Sequence, residues 1–136
     1  MTGPRILVVE DEPLVAVHIG RIAIEAGFEL CGTAASGPEA LAMADAQLPD
    51  VALIDVRLIG RMDGLEVARR LYRKFETLPV LISADAPGLN PEALGLPCIA
   101  IIGKPFSHEQ LEDALAAARA AILRNAEARG TADAVS

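Results

Sequence analysis

Short apolar runs that alternate with longer helix-like segments are the feature that most constrains how this chain can fold. The apolar runs are rich in Val, Ile and Leu, have the length of β-strands, and lie at residues 5–9, 29–34, 51–54, 79–82 and 98–102. The helix-like segments occupy residues 12–26, 37–48, 64–75 and 107–128. Strands that alternate with helices form a parallel sheet with right-handed crossovers. The pattern therefore predicts an α/β protein with a doubly wound, five-stranded parallel sheet.

The segment between the fourth and fifth predicted strands is too rich in helix-breaking residues for a full helix. Residues 84–97 contain three Pro and two Gly, so we expect about one helical turn there, near residues 91–94. The fourth helix is thus predicted to be short or degenerate. Elsewhere, Ser107 and Gln110 form a capping-box pattern at the start of the last helix, and Gly27 suits the end of the first.

One domain accounts for the sequence. We expect residues 1–129 to form it and residues 130–136, which are mostly small and polar, to be a flexible C-terminal tail. A chain of 136 residues is large enough for one apolar core, and no internal repeat or linker divides it.

Charge and cysteine content argue against several functional classes. A general nucleic-acid binder would be basic, whereas the formal net charge here is −7. No apolar run approaches the roughly 20 residues of a membrane span or the pattern of a signal peptide. Cys31 and Cys98 lack the spacing of a metal or redox motif. We therefore expect a soluble, cytoplasmic protein that contacts neither nucleic acid nor membrane.

Polar residues stand at the ends of four of the five predicted strands. Glu10 and Asp11 directly follow the first strand, Asp55 follows the third, Ser83 the fourth and Lys104 the fifth. In an open parallel sheet, ligands bind at the carboxyl ends of the strands. These five side chains are therefore expected to converge at one edge of the sheet.

Three converging carboxylates repel one another unless a cation neutralises them. Hard oxygen ligands suit Mg²⁺, so Glu10, Asp11 and Asp55 are predicted to hold this ion. A carboxylate beside Mg²⁺ can act as a nucleophile toward a phosphoryl group. Asp55 would then accept the phosphoryl group, while Ser83 and Lys104 bind its oxygens.

With these residues in place, the sequence resembles the receiver domain of bacterial two-component response regulators over roughly residues 4–126, as a stand-alone, chemotaxis-regulator-like type. The motifs that carry the resemblance are Val9-Glu10-Asp11-Glu12, Leu53-Ile54-Asp55-Val56, Met62-Asp63-Gly64, Ile82-Ser83-Ala84 and Lys104-Pro105-Phe106. It implies the flavodoxin-like strand order 2-1-3-4-5 and a cis Lys104–Pro105 bond. It also implies that Asp55 takes its phosphoryl group from a histidine kinase, a histidine phosphotransfer protein or a small donor, with Mg²⁺ or, as a substitute, Mn²⁺.

Further residues take roles only through this resemblance. The backbone carbonyl of Arg57 would be another Mg²⁺ ligand. Arg57, Ala84 and Asp85 would tune the lifetime of the aspartyl phosphate, and the opposite charges of Arg57 and Asp85 could pair over it. Ser83 and position 101 would form the switch, but Ile101 stands where many receivers have an aromatic residue. We therefore expect switching to use the proline-rich segment before the fifth strand.

The resemblance implies a signalling protein that catalyses only its own phosphotransfer and autodephosphorylation. Its partners would be a histidine kinase or phosphotransfer protein and an unidentified downstream protein, and the Ala-rich last helix allows a homodimer. Two alternatives stay open, namely a pseudo-receiver that binds partners without being phosphorylated and a receiver cut from a longer regulator. A phosphatase of the haloacid dehalogenase class is disfavoured, because Val9-Glu10-Asp11-Glu12-Pro13 lacks a second Asp two residues after the first.

Overall fold

The computed structural model of the chain describes residues 3–57 and 62–135. Its strands are β1 (Arg5–Val9), β2 (Glu29–Ala34), β3 (Val51–Asp55), β4 (Leu78–Ser83) and β5 (Ala100–Gly103). The α-helices within these residues are α1 (Pro13–Glu25), α2 (Gly37–Gln47), α3 (Gly64–Phe75) and α4 (His108–Val135). Every predicted strand and helix is therefore present, and most of their ends agree closely.

All strands run parallel, in the predicted order β2-β1-β3-β4-β5. Successive side chains of a strand point to opposite faces of a sheet. Accordingly, Ile6 and Val8 of β1 pack in the layer formed with α1 and α4, whereas Leu7 and Val9 pack in the layer formed with α2 and α3. Because both faces are covered, the central strands β1, β3 and β4 are nearly continuous aliphatic runs, with polar residues at their ends.

The segment between β4 and β5 forms two short 3₁₀ turns in place of an α-helix. They span Ala86–Gly88 and Pro91–Leu94, and each has Pro near its start. Pro suits the first position of a turn but lacks the N–H that would carry a helix through it. Leu94 is buried in the layer formed with α2 and α3 and anchors the segment. The degenerate fourth helix is confirmed, with two turns where we expected about one.

The last helix is longer than predicted. It continues to Val135, beyond the predicted end at residue 128. The flexible tail over residues 130–136 stays a prediction, and Ser136 lies outside the described residues. A single Gly in a helix costs about 1 kcal/mol, and the Ala residues around Gly130 offset that cost. Across the described residues, no helix combines the length and apolar character of a membrane span.

The predicted capping box is present at the start of α4. The Gln110 amide donates to Ser107 Oγ at 3.0 Å, and the Ser107 amide donates to Gln110 Oε1 at 2.8 Å. Two amides that no helical carbonyl can reach are thereby satisfied.

A contact from α4 reinforces the predicted glycine end of α1. Gly27 has a φ of 93°, in the region that favours glycine. Arg119 donates from Nη2 to the Ala26 carbonyl at 2.8 Å, and its guanidinium lies 5.6 Å from the ring centre of Phe28. Arg119 therefore ties the end of α1 to α4.

Replacing Gly27 with Ala is expected to lower the free energy of unfolding by about 2–3 kcal/mol, from backbone strain and from the lost Arg119 contact. A Cβ at position 27 would clash with Arg119 Nη2. Gly95→Ala is the matched control, because Gly95 has a φ of 71° but nothing lies within 4 Å of the Cβ it would gain. Urea unfolding followed by circular dichroism measures both variants. Equal losses would show that the Arg119 contact contributes nothing.

Candidate functional site

The predicted site residues meet at the carboxyl edge of the sheet. Glu10, Asp55 and Ser83 are only 3%, 4% and 6% exposed, and Asp11 and Lys104 are half-buried beside them. Carboxylates are rarely buried so far unless they are paired or bind a metal. Their burial at a sheet edge marks this place as a candidate functional site.

Lys104 bridges the two buried carboxylates. Its Nζ lies 2.8 Å from Asp55 Oδ2 and 3.5 Å from Glu10 Oε2. The backbone directs the side chain there, since the Lys104 amide donates to the Ser83 carbonyl at 2.9 Å and the Lys104–Pro105 bond is cis, as the resemblance implied. Burial alone lowers the pKa of Lys104, but its hydrogen bond to Asp55 and the two negative charges outweigh burial and raise that pKa. Lys104 therefore remains charged in the site.

The carboxylates of the predicted metal site lie close enough to share one ion. Glu10, Asp11 and Asp55 each offer an oxygen, and these oxygens all lie within 4.8 Å of one another. Burial raises the pKa of Glu10 to about 7; the Glu12 amide opposes this rise, and the charge of Asp55 adds to it. Lys104 supplies one positive charge against three acids, so negative charge is left over. An all-oxygen donor set with excess negative charge fits a hard divalent cation such as Mg²⁺.

Backbone amides hold both buried carboxylates in place. The Arg57 amide donates to Asp55 Oδ1 at 2.9 Å, and the Glu12 amide donates to Glu10 Oε1 at 3.2 Å. In each carboxylate the other oxygen faces Lys104. The Arg57 carbonyl stays a predicted metal ligand, because no contact in the structure tests it. Residues 58–61 of the same loop lie outside the described residues.

Gly64, which the sequence analysis named only as part of the Met62-Asp63-Gly64 motif, has a structural role at the site. Its amide donates to the Val56 carbonyl at 2.9 Å, which holds the start of α3 against the end of β3. A Cβ at position 64 would clash with the backbone oxygen of Asp55. Asp63 caps the same helix, accepting from the Glu66 amide at 2.9 Å. A Gly directly after a helix-capping Asp was the signal that could have indicated this close approach.

The Ser83 hydroxyl lies at the site and also holds the turn that follows β4. Its Oγ accepts from the Asp85 amide at 3.0 Å, which leaves its hydrogen available to donate. In the described part of the chain, no salt bridge joins Asp85 to Arg57, and the Asp85 carboxylate lies against Gly88 instead. The ion pair expected over the site is therefore absent here, although both residues and Ala84 are exposed beside it.

Ile101, the predicted switch position, is half-buried rather than exposed. It packs against the layer that contains Leu81 and Leu94. Ile101 thus shares a packed layer with the second 3₁₀ turn, so a shift of that turn would reach β5.

Comparison with known proteins identifies the family. Residues 6–116 match the family described as the response regulator receiver domain. The chain therefore belongs to the response regulator receiver domain family, as its strand-end motifs indicated. The structure of a receiver domain protein described as CheY-like, from Methanospirillum hungatei, superposes with a TM-score of 0.78 at 21% identity, over 91% of this chain and 99% of that one. At this identity the likeness concerns the fold alone, which is the flavodoxin-like fold.

Two curated relatives are longer than this chain. The transcriptional regulatory protein PdtaR of Mycobacterium tuberculosis is 31% identical over 126 residues, which covers 85% of this chain and 61% of the relative. The positive alginate biosynthesis regulatory protein of Pseudomonas aeruginosa is 33% identical over 112 residues, which covers 81% of this chain and 45% of the relative. The match therefore takes in only part of each relative, and the activities of those whole proteins do not carry over with it.

Replacing Glu10 with Gln is expected to stabilise the metal-free protein by about 1–3 kcal/mol at pH 8 and hardly at all at pH 4. Folding raises the pKa of Glu10 from its ordinary 4.5 to about 7. The folded chain thus binds this proton more tightly than the unfolded chain. The resulting stability is fully present below pH 4.5 and is lost as the pH rises through about 7. Gln cannot ionise, so the Glu10→Gln variant keeps this stability at high pH.

Urea unfolding in the presence of a chelator, at both pH values, measures this effect. Glu12→Gln, at an exposed position of the same motif, is the control and should change little at either pH. A gain from Glu10→Gln that is equal at both pH values would contradict the explanation by ionisation.

Proposed function

We propose that Asp55 accepts a phosphoryl group in a Mg²⁺-dependent reaction, and that this modification switches the chain's interactions with other proteins. The observation that carries the proposal is the 2.8 Å contact between Lys104 Nζ and Asp55 Oδ2, set within an acidic cluster. Grouping three acids, two of them buried, around one ammonium group is a poor way to stabilise a fold. It suits a carboxylate nucleophile that needs cations around the phosphoryl group it receives.

In the proposed reaction, one Asp55 oxygen attacks the phosphorus of a phosphohistidine. The new P–O bond forms as the P–N bond breaks, and the imidazole leaves with the bonding electrons, neutral because its other nitrogen carries a proton. The Lys104 ammonium exchanges Asp55 Oδ2 for a phosphoryl oxygen, and the Ser83 hydroxyl donates to another. When bound by Glu10, Asp11 and Asp55, Mg²⁺ would offset the charge on the phosphoryl oxygens.

Under this proposal, the chain acts on no separate substrate. Phosphotransfer to Asp55, and later hydrolysis of the acyl phosphate by water, are its only reactions. Mn²⁺ offers the same preference for oxygen ligands and could replace Mg²⁺. The two cysteines, Cys31 and Cys98, are not bonded to each other, which fits a reducing, cytoplasmic setting for this chemistry.

The phosphoryl donor is proposed to dock beside the start of α1. A cavity of about 590 Å³ lies there, with Leu14, His18, Lys104 and Phe106 in its lining. Leu14 is 86% exposed, which is unusual for a large apolar side chain next to buried charges. The apolar face of a helix from a histidine kinase or a histidine phosphotransfer protein suits this surface and would bring its histidine close to Asp55.

Switching is proposed to run through residues 84–97. Ser83 links the site to this segment, because its Oγ holds the Asp85 amide at 3.0 Å. The first 3₁₀ turn, Ala86–Gly88, packs against β5 in turn. Once Ser83 donates to a phosphoryl oxygen, the hydroxyl has to reorient, and the turn it holds is expected to rearrange. That rearrangement would present a different surface to the downstream partner.

Amide hydrogen exchange tests this route. Beryllium fluoride, a phosphoryl mimic, is expected to change the protection of residues 84–97 in the presence of Mg²⁺, because the Ser83 contact is redirected. Ser83→Ala should abolish the change in the segment while the mimic still binds at Asp55. Unchanged protection of residues 84–97 in the wild type, with the mimic bound, would reject the route.

Phosphorylation itself is tested with acetyl phosphate and intact mass spectrometry. The wild type is expected to gain one phosphoryl group in Mg²⁺ and none after chelation, and Asp55→Asn is expected to gain none. Asn is close in shape to Asp, so folding of the control can be matched by circular dichroism. No gain by the wild type under any condition would reject the proposal and favour the pseudo-receiver, which binds partners unmodified.

A further inference from the structure

A cavity of about 480 Å³ lies at the base of the sheet, at the end opposite the carboxylate cluster. That volume is within the range of pockets that hold small molecules. The cavity is bordered by the end of α3, the start of β4, the residues that lead into β5 and the second half of α4. Its lining includes Tyr72, Leu78, Ile99, Ala121 and Arg124. None of these residues belongs to the cluster around Asp55, so the cavity is a separate place for a ligand.

One wall of the cavity is held in place by the sheet. Pro97, Cys98 and Ile99 form this wall, where the segment that replaces the fourth helix leads into β5. The Ile99 amide donates to the Pro79 carbonyl at 3.0 Å, and the Cys98 thiol lies 3.4 Å from the Ala100 carbonyl. A wall anchored by such contacts does not have to be ordered when a ligand binds, which lowers the cost of binding.

The lining combines apolar side chains with one aromatic ring. Leu78 is almost fully buried, and Ile99 packs against the core layer formed with α1 and α4. On the α4 side, Ala117 and Ala121 are small and leave the space open. Tyr72 is half-buried at the cavity, and aromatic rings pair favourably with one another. The body of a ligand here is therefore expected to be apolar and aromatic.

Arg124 gives the cavity a positive end. Its side chain is exposed, and among the described residues it forms no salt bridge. The neighbouring Asn125 also lines the cavity and can donate from its side-chain amide. Glu76 lines the cavity as well, but it also borders a smaller cavity of about 190 Å³, together with Asp50. Because Arg124 lines only the larger cavity, negative charge is concentrated toward the smaller one.

We propose that this cavity binds a small carboxylic acid with an aromatic body. The carboxylate accepts from the Arg124 guanidinium, in a charge-assisted contact, and from the Asn125 amide. The neutral ring packs against Tyr72 and the apolar side chains of the lining. A net charge of −7 repels anions at long range, so binding depends on the local positive charge of Arg124. The site does not use the Asp55 chemistry and stands independently of it.

Titration of the isotope-labelled full chain, followed by the amide chemical shifts in NMR, tests the proposal with 3-phenylpropionate as the probe. We expect saturable shifts at Cys98, Ile99 and Ala121 with a Kd below about 1 mM, since a ligand of this size gains only modest binding energy. Phenethylamine has the same body with an ammonium group in place of the carboxylate. It should bind about tenfold more weakly or worse, because Arg124 repels it.

Three variants locate the binding site. Arg124→Gln removes the positive charge at an exposed position and should weaken the binding of 3-phenylpropionate about tenfold. Arg21→Gln, on the exposed face of α1, makes the same change in net charge and should leave binding unchanged. Ala121→Leu fills the cavity without a change in charge and should abolish binding; circular dichroism checks the fold of each variant.

Three outcomes would overturn the proposal. The first is the absence of a saturable shift in the wild type, and the second is equal binding of the two probes. The third is binding of 3-phenylpropionate that either Arg124→Gln or Ala121→Leu leaves unchanged.

Discussion

Crowding of like charge at one edge of the sheet is the constraint on which the rest of this structure depends. Glu10 and Asp55 are buried side by side, and Lys104, which contacts both, is the cation that offsets them. Such a cluster opposes folding unless something else stabilises the chain. The aliphatic layers on the two faces of the sheet supply that stability, since they bury the central strands β1, β3 and β4 almost entirely.

The backbone around this cluster connects it to more distant parts of the molecule. Gly64 lets the start of α3 approach the Asp55 backbone, and the Ser83 hydroxyl holds the first turn of residues 84–97. That segment also takes the place of a full helix. Its first turn packs against β5, so the segment connects Ser83 with that strand in the proposed switch.

Some parts of this picture were predictable and some were not. The strands, the Ser107–Gln110 capping box and the glycine end at Gly27 follow from short local patterns, and all are present. Convergence of Glu10, Asp55, Ser83 and Lys104 was predictable once a parallel sheet was assumed, because all of them stand at strand ends. The length of α4 was not, since one Gly weighs little against its Ala-rich surroundings. The hydrogen bond from Arg119 to the Ala26 carbonyl was not predictable either, because these residues are 93 positions apart in the chain.

The sequence by itself determined the order of elements, the family and the identity of the candidate site residues, because apolar periodicity and strand-end residues are local properties of the chain. Only the tertiary structure decided how those side chains interact. The raised pKa of Glu10 depends on the depth of its burial, and the position of Lys104 depends on the carboxylates around it. The expected ion pair between Arg57 and Asp85 does not form, because the turn after β4 places the Asp85 carboxylate against Gly88. Each of these features depends on distances between residues far apart in the chain or on the path of the backbone. Local sequence patterns do not specify such distances.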